Sequence, residues 1–321
     1  MQAVATKELR SRMRGARAFA VLSVYLLLLS CLVIAVYAFT TNIIEEQARS
    51  GGGAPPPLGR ILFYAVTVVE LLLIAPLAPA FSASSIAGER ERQTFDLVMT
   101  TPISAASFVL GKLVSNLSYV LLLLFVSIPV QMLALLFGGL TLTEVLLGFW
   151  ILIVATVFYA SVSLFFSSVM RTTTTATIFS YLAVALTLIG ALLVFVLVSL
   201  LTAGAQGLIF FGPERSPRLW AVYATLLLIA LSPLTAGGTT AAALIANEGT
   251  WAFRLAEDGS IPGYPHGIWL LNPWIPYTLI YLSLSALLIW VSIRRVRPTR
   301  ARHPNRPSRP AELPPAPPVP S

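Results

Sequence analysis

Six apolar runs of about twenty residues each set the rhythm of the chain. They lie at about 19–39, 61–81, 113–137, 145–166, 178–201 and 274–293. A helix rising 1.5 Å per residue needs about 20 residues to cross a hydrocarbon layer of roughly 30 Å. Backbone groups in lipid must satisfy one another within their own segment, so the runs predict helices rather than open strands. The expectation is an all-α integral membrane protein with about six transmembrane helices over residues 19–293. A further apolar stretch, 219–246, is interrupted by Ser232-Pro233 and Gly237-Gly238. It predicts a re-entrant or outer-interface helical hairpin instead of a full span.

Charge placement orients these elements. Only 11% of the 321 residues are charged, against roughly 25% in a soluble domain, and mean hydropathy is +0.83. A surface of this kind needs the lipid bilayer as a partner. The net charge of +8 does not point to nucleic acid, because the basic residues flank apolar runs, where an anionic leaflet attracts them. Lys7, Arg10, Arg12, Arg14 and Arg17 precede the first run, and Arg294, Arg295, Arg297, Arg300, Arg302, Arg306 and Arg309 follow the last. By the positive-inside rule both ends are cytoplasmic, the crossings are even in number, and the expected location is a cell (inner or plasma) membrane. Arg90, Arg92, Lys112 and Arg171 then fall on inner connections. Counting 219–246 as a span would send the basic tail outside, which is the argument for the hairpin. Trp251, Trp269, Trp274 and Tyr277 would form an outer aromatic belt.

The ends differ in character. Over residues 1–18, Lys7, Arg10, Arg14 and Arg17 share one helical side and Leu9, Met13 and Ala16 another. This pattern reads either as an amphipathic interfacial helix on the inner leaflet or as a bare topology signal. Residues 294–321 are basic and then proline-rich, the composition of a disordered cytoplasmic tail. The single cysteine, Cys31, lies inside the first run and is read as helix; alone it forms no intramolecular disulfide and no metal cluster.

Chemistry concentrates in the connection after the second run, from Gly88 to Ser104, followed by Gly111-Lys112. A charged cluster, Glu89 to Arg92, leads into a segment that reads as a short helix between two breaks. Thr94 is suited to an N-cap, with Asp96 in the first turn. Phe95, Val98 and Met99 make a small apolar face, Pro102 ends the helix, and Ser104 is placed to cap the next one. Such a rod is a good plug for a partner's groove. Glu70 is the one ionisable side chain deep in a run, about 14 Å along its helix from Ile61. A charge there costs about 2.5–3.5 kcal/mol on insertion scales, so it should face the bundle or a cavity, or be protonated. Asn116 is a candidate hydrogen-bond partner if the two depths match, and both a polar tie between helices and a substrate or gating role are open. His266 and His303 lie outside the runs and read as incidental.

These features together resemble the ABC-2-type permease family. That family shows an acidic-Arg-acidic cluster, a Gly-Thr, an acidic residue, a Thr-Pro-Leu/Ile-Ser and a Gly-Lys entering the third span. Here they correspond to Glu89-Arg90-Glu91, Thr94, Asp96, Thr101 to Ser104, and Gly111-Lys112. Lys7 to Arg10, Pro129, Phe137 to Gly139, Ser167 to Thr172 and Leu231 to Leu234 extend the resemblance over roughly residues 5 to 295. One departure is Gln93, where the family usually has glycine, which bears on the turn geometry there.

The resemblance implies a permease that pairs with a second copy or paralogue. Each permease inserts the helix between spans two and three into a separate ABC ATP-binding subunit, which carries the ATP-Mg. Glu89, Arg90 and Glu91 would supply polar contacts, Phe95, Leu97, Val98 and Met99 apolar anchoring, with Thr94, Asp96 and Pro102 shaping the coupling helix. The chain has no Gly-x-x-x-x-Gly-Lys-Ser/Thr phosphate loop, so ATP hydrolysis is expected on another polypeptide, with no catalytic residue and no cofactor here. An intramembrane hydrolase is disfavoured because no run contains a histidine or an aspartate pair, and no internal repeat favours a secondary transporter. A non-transporting membrane scaffold, or a permease of the copper-enzyme-maturation type within the same family, stays open.

Overall fold

The computed structural model describes residues 16–49, 58–95, 104–190, 192–194, 196–197, 219–245, 249–255 and 268–296. Its helices are α1 (Ala16–Arg49), α2 (Leu58–Ser82), α3 (Ser84–Glu91), α4 (Ala105–Leu136), α5 (Leu142–Val169), α6 (Thr173–Ala185), α7 (Leu219–Ala230), α8 (Pro233–Ile245) and α9 (Trp274–Val296). A π-helical turn, Leu186–Gly190, continues α6. Six helical stretches are long and apolar enough to cross a membrane: Phe19–Asn42, Leu58–Glu91, Ala105–Leu136, Leu142–Val169, Thr173–Val194 and Trp274–Val296. The protein is an all-α integral membrane protein. Its amphipathic N-terminal segment, the coupling segment from 96 to 103 and the tail beyond 296 lie outside the described residues.

The two longest spans overshoot the bilayer most. The second, running through α2 and α3, has 34 residues, and the third has 32, about 51 and 48 Å at 1.5 Å per residue. A hydrocarbon layer of roughly 30 Å cannot cover them, so both project beyond it. Apolar periodicity stops at the lipid boundary, and the sequence pattern therefore started the third span at 113 where the helix begins at Ala105. The charged cluster that was expected to precede a separate short helix is itself helical, as the last two turns of the second span after a break at Ala83.

The fourth span, α5, is the most buried of the six and the first is the least. Helix α5 packs against α2, α4, α6 and α9, and its small residues Ala155, Ala160, Ser161 and Ser163 are buried at the contacts. Small side chains let helix backbones approach closely where no water drives association. The hydroxyls of Thr156, Ser161 and Ser163 return to the carbonyls of Leu152, Val157 and Tyr159, so α5 presents no unsatisfied hydroxyl from these positions. Around it Leu71, Ile74, Leu152, Phe158, Tyr277 and Tyr281 form the main core.

Helices α7 and α8 are bent by 118° about a break at Leu231-Ser232. Carbonyls freed by such a break are tolerated at membrane depth only when protein satisfies them. Tyr281 Oη donates to Leu231 O at 2.9 Å, Thr235 Oγ1 donates to Ile229 O at 2.6 Å, and Ser232 Oγ accepts from Leu234 N–H at 3.3 Å.

One feature adds to the helical plan, and one expectation is corrected. The all-helical pattern omits a short antiparallel ribbon, β1 (Ala252–Leu255) with β2 (Ile268–Leu271), because four-residue strands leave no usable periodicity. Tyr277, assigned to the aromatic belt, is fully buried. Its hydroxyl donates to Ile151 O at 3.1 Å and its ring packs on Tyr281. It lies within the first turn of α9 and faces α5, so packing wins over proximity to the interface. Trp251 and Trp269 are exposed, and Trp274 packs at a tilt against Trp251 while donating to Thr250 O.

Candidate functional site

Three consecutive charged side chains of α3 each grip a different helix. Glu89 Oε1 accepts from Lys112 Nζ on α4 at 2.6 Å. Arg90 Nη1 donates to Ser168 O at 2.7 Å and Met170 O at 3.5 Å, at the C-terminal end of α5. Glu91 Oε2 accepts from the Thr173 backbone N–H at 3.1 Å and from its hydroxyl at 2.7 Å, at the N-terminus of α6. The signs suit the helix ends: the cation meets the carbonyl end and the anion meets the amide end, where unpaired backbone groups concentrate partial charge. Successive side chains on a helix diverge by about 100°, which lets three neighbours reach three partners.

The backbone of α3 is held as well. Residue Ala83 offers no side-chain cap, and the Ile86 and Ala87 amides both donate to Ser167 Oγ on α5 at 2.9 Å. Fully buried, Ser167 replaces the missing local cap. The turn leaving α3 is closed by Thr94 N–H to Glu89 O at 2.9 Å and Gln93 N–H to Arg90 O at 3.1 Å. Gln93 sits at φ +59°, the one non-glycine residue with positive φ among those described. The position expected to hold glycine therefore does require the left-handed conformation, and a glutamine occupies it at a cost of about 1–2 kcal/mol.

Phe95 lies edge-on to Phe108 and beneath the Arg90 guanidinium, 5.0 Å from its ring centre. It belongs to an apolar cluster with Ile86, Val109, Leu113, Leu164 and Val296. Thr94 is exposed. Asp96, Leu97, Val98, Met99 and Pro102 lie outside the described residues. Ser104 caps α4, accepting from Ser107 N–H at 3.2 Å. This end of the bundle is thus a platform of α3, the α4 start, the α5–α6 turn and the α9 end, from which residues 96–103 connect. The partners Ser167 and Ser168 were visible only as part of a separate motif and Thr173 not at all, since nothing in the sequence ties residues about 80 positions apart.

At the opposite end, Arg60 on α2 pairs with buried Glu144 on α5 at 3.1 Å, and Tyr64 Oη donates to the same carboxylate at 3.3 Å. Gly59 lets α2 approach the end of α4, because a Cβ there would lie 2.2 Å from Ala134 O. Below the pair, α2, α5 and α8 line a half-open, largely apolar pocket of about 330 Å³, with Thr67, Leu71, Ile151, Leu234, Gly238 and Ala241 among its walls. A Cβ on Gly238 would meet nothing within 4 Å.

Glu70 is buried, as expected, but its partner is corrected. Gln131 Nε2, not Asn116, donates to Glu70 Oε2, while Asn116 Nδ2 donates to Ser85 Oγ at 3.4 Å. The helices are antiparallel, so fifteen residues back from Ser85 and fifteen on from Asn116 lead to Glu70 and Gln131. That displacement is about 22 Å of depth, and Asn116 belongs to the platform end.

A family model described as ABC-2 family transporter protein matches residues 2–293 of the chain. No curated protein matches it significantly.

Proposed function

The chain belongs to the ABC-2 transporter family, as a membrane permease, and from that premise we propose that it is the transmembrane subunit of an ATP-driven exporter. In this reading it forms the transport path with a second copy or a paralogue, and a separate ABC subunit binds and hydrolyses ATP-Mg. The platform end faces the cytoplasm and the partner subunit docks on residues 94–104.

The observation that supports this most is the triple grip of α3. A force applied to the connection between α3 and α4 reaches α4 through Glu89, α5 through Arg90 and Ser167, and α6 through Glu91. Loops that merely join spans need no such bracing. Glu89, Arg90 and Glu91 then carry motion within the permease. Val98, with Leu97 and Met99, contacts the partner, Asp96 and Pro102 frame that helix, and Phe95 braces it against Phe108. The 330 Å³ pocket is a section of the path near its far end.

Co-purification with the cognate ABC ATPase tests the reading. Val98→Asp places a charge in the proposed apolar contact and should weaken capture at least about tenfold, the loss of one interface anchor. Permease yield should stay unchanged. Undiminished capture and undiminished ATP-driven transport would remove residues 94–104 as the coupling element.

A further inference from the structure

The centre of the bundle holds an acidic group with no compensating charge. Glu70 is fully buried on α2, twelve residues from Leu58 and so about 18 Å along the helix. Gln131 of α4 is equally buried, and Tyr25 of α1 is 3% exposed. The amide of Gln131 donates to Glu70 Oε2, the orientation that suits a carboxylate oxygen able only to accept. Three buried atoms are then left without partners: Glu70 Oε1, Gln131 Oε1 and Tyr25 Oη. Ser127 lies beside both Glu70 and Tyr25, and its own hydrogen goes to Leu124 O at 2.8 Å.

No side-chain cation serves this group among the described residues. On α2, Arg60 is bound to Glu144 at one end of the bundle. On α4, the one basic residue is Lys112, paired with Glu89 at the other end and nineteen residues, about 28 Å, from Gln131. Helix α5 carries no charge except Glu144, and α6 carries none. The charged residues of α1, Arg17, Glu45, Glu46 and Arg49, lie in its terminal turns, and Tyr25 is the titratable side chain of α1 that faces Glu70. Buried polar atoms are paired in more than about nine cases in ten, and an isolated buried anion is far more costly than an unpaired neutral group. Two of the three orphans, a carboxylate oxygen and an amide oxygen, can only accept. What the cluster lacks is positive charge.

We propose that Glu70, Gln131 and Tyr25 form a mid-membrane binding site for one monovalent cation, a proton or a sodium ion, taken from solution. A proton on Glu70 Oε1 is donated to Gln131 Oε1. With the existing amide bond to Oε2 this closes a neutral two-bond ring between α2 and α4, and both acceptor orphans are satisfied at once. A sodium ion is held instead by the same two oxygens, with Tyr25 Oη and Ser127 Oγ as further oxygen donors. Either occupant makes the contact among the first three spans depend on a solute. The site acts within this chain and does not rest on an ATPase partner.

The test uses the full chain in lipid nanodiscs, with Glu70→Gln, the neutral isostere of the protonated acid, and Glu70→Asp. Infrared spectra at neutral pH read the C=O stretch of a protonated carboxyl. Unfolding midpoints in sodium chloride and in choline chloride read sodium binding, with sodium itself as the probe. A proton site gives a protonated-carboxyl band in the wild type, lost in Glu70→Gln and moved in Glu70→Asp, with midpoints indifferent to sodium. A sodium site gives no such band and a wild-type midpoint that climbs with sodium, an increase absent from Glu70→Gln. The wild-type measurements decide the sodium arm even if a variant fails to fold, and Glu70→Asp assigns the band if the glutamine variant is lost. A wild type with neither a protonated-carboxyl band nor sodium-dependent stability overturns the proposal.

Discussion

Ser167 offers the sharpest test of how α3 is fixed. Its hydroxyl oxygen receives the Ile86 and Ala87 amides at 2.9 Å each, and all three residues are buried. In a helix starting at Ser84 the first four amides have no intrahelical acceptor or only a marginal one, and Ala83 supplies no side-chain cap. Ser167→Ala removes the acceptor without removing bulk. An orphaned buried amide costs about 1–3 kcal/mol. Ile86 bears that in full, while Ala87 can lean on the carbonyl of Ala83, so a combined loss of about 2 kcal/mol is expected. At 1.4 kcal/mol per factor of ten, the opening equilibrium of α3 rises about thirtyfold. Hydrogen exchange of the 84–92 backbone, measured in nanodiscs, reads this directly as local opening. Exchange in the middle of α5 should not change. Ser168→Ala is the control, because the Ser168 hydroxyl returns to Phe165 O in its own helix. Equal exchange of the 84–92 amides in Ser167→Ala and wild type would refute the claim that α5 caps α3. A rise confined to α5 would refute it equally, by showing that the serine serves its own helix.

Two further outcomes follow from backbone geometry. Gln93→Gly should relieve the cost of φ +59°, about 1–2 kcal/mol, against about 0.5–1 kcal/mol for the greater freedom of glycine when unfolded. The net gain of about 0.5–1 kcal/mol should slow exchange of the Thr94 amide, whereas Gln93→Val should speed it. Gly148→Ala and Gly238→Ala should move the unfolding midpoint in opposite directions. A Cβ at 148 would meet Phe63 at 2.7 Å and cost about 1–3 kcal/mol by overpacking. One at 238 meets nothing and should add up to about 1 kcal/mol of helix propensity.

The sequence alone determined which segments are long and apolar enough to cross a membrane. Six runs long enough to span and polar interruptions at Ser232-Pro233 are local properties, and lipid enforces them residue by residue, because each helix must close its own hydrogen bonds. The left-handed turn at 93 was not legible, because a glutamine stands where the resemblance expects glycine, and only the backbone shows its positive φ. Partnership was not legible. Glu89, Arg90 and Glu91 read as a charged loop until folding brought Lys112, Ser168 and Thr173 beside them, and Glu70 went to Gln131 instead of Asn116 because antiparallel register, not polarity, sets depth. Tyr277 has the chemistry of an interface residue and a place in the core, since the side of α9 it occupies depends on where α5 lies. Hydropathy measures what one residue gains from lipid. Which side chains meet is decided by helix packing, a property of pairs of segments that no single segment encodes.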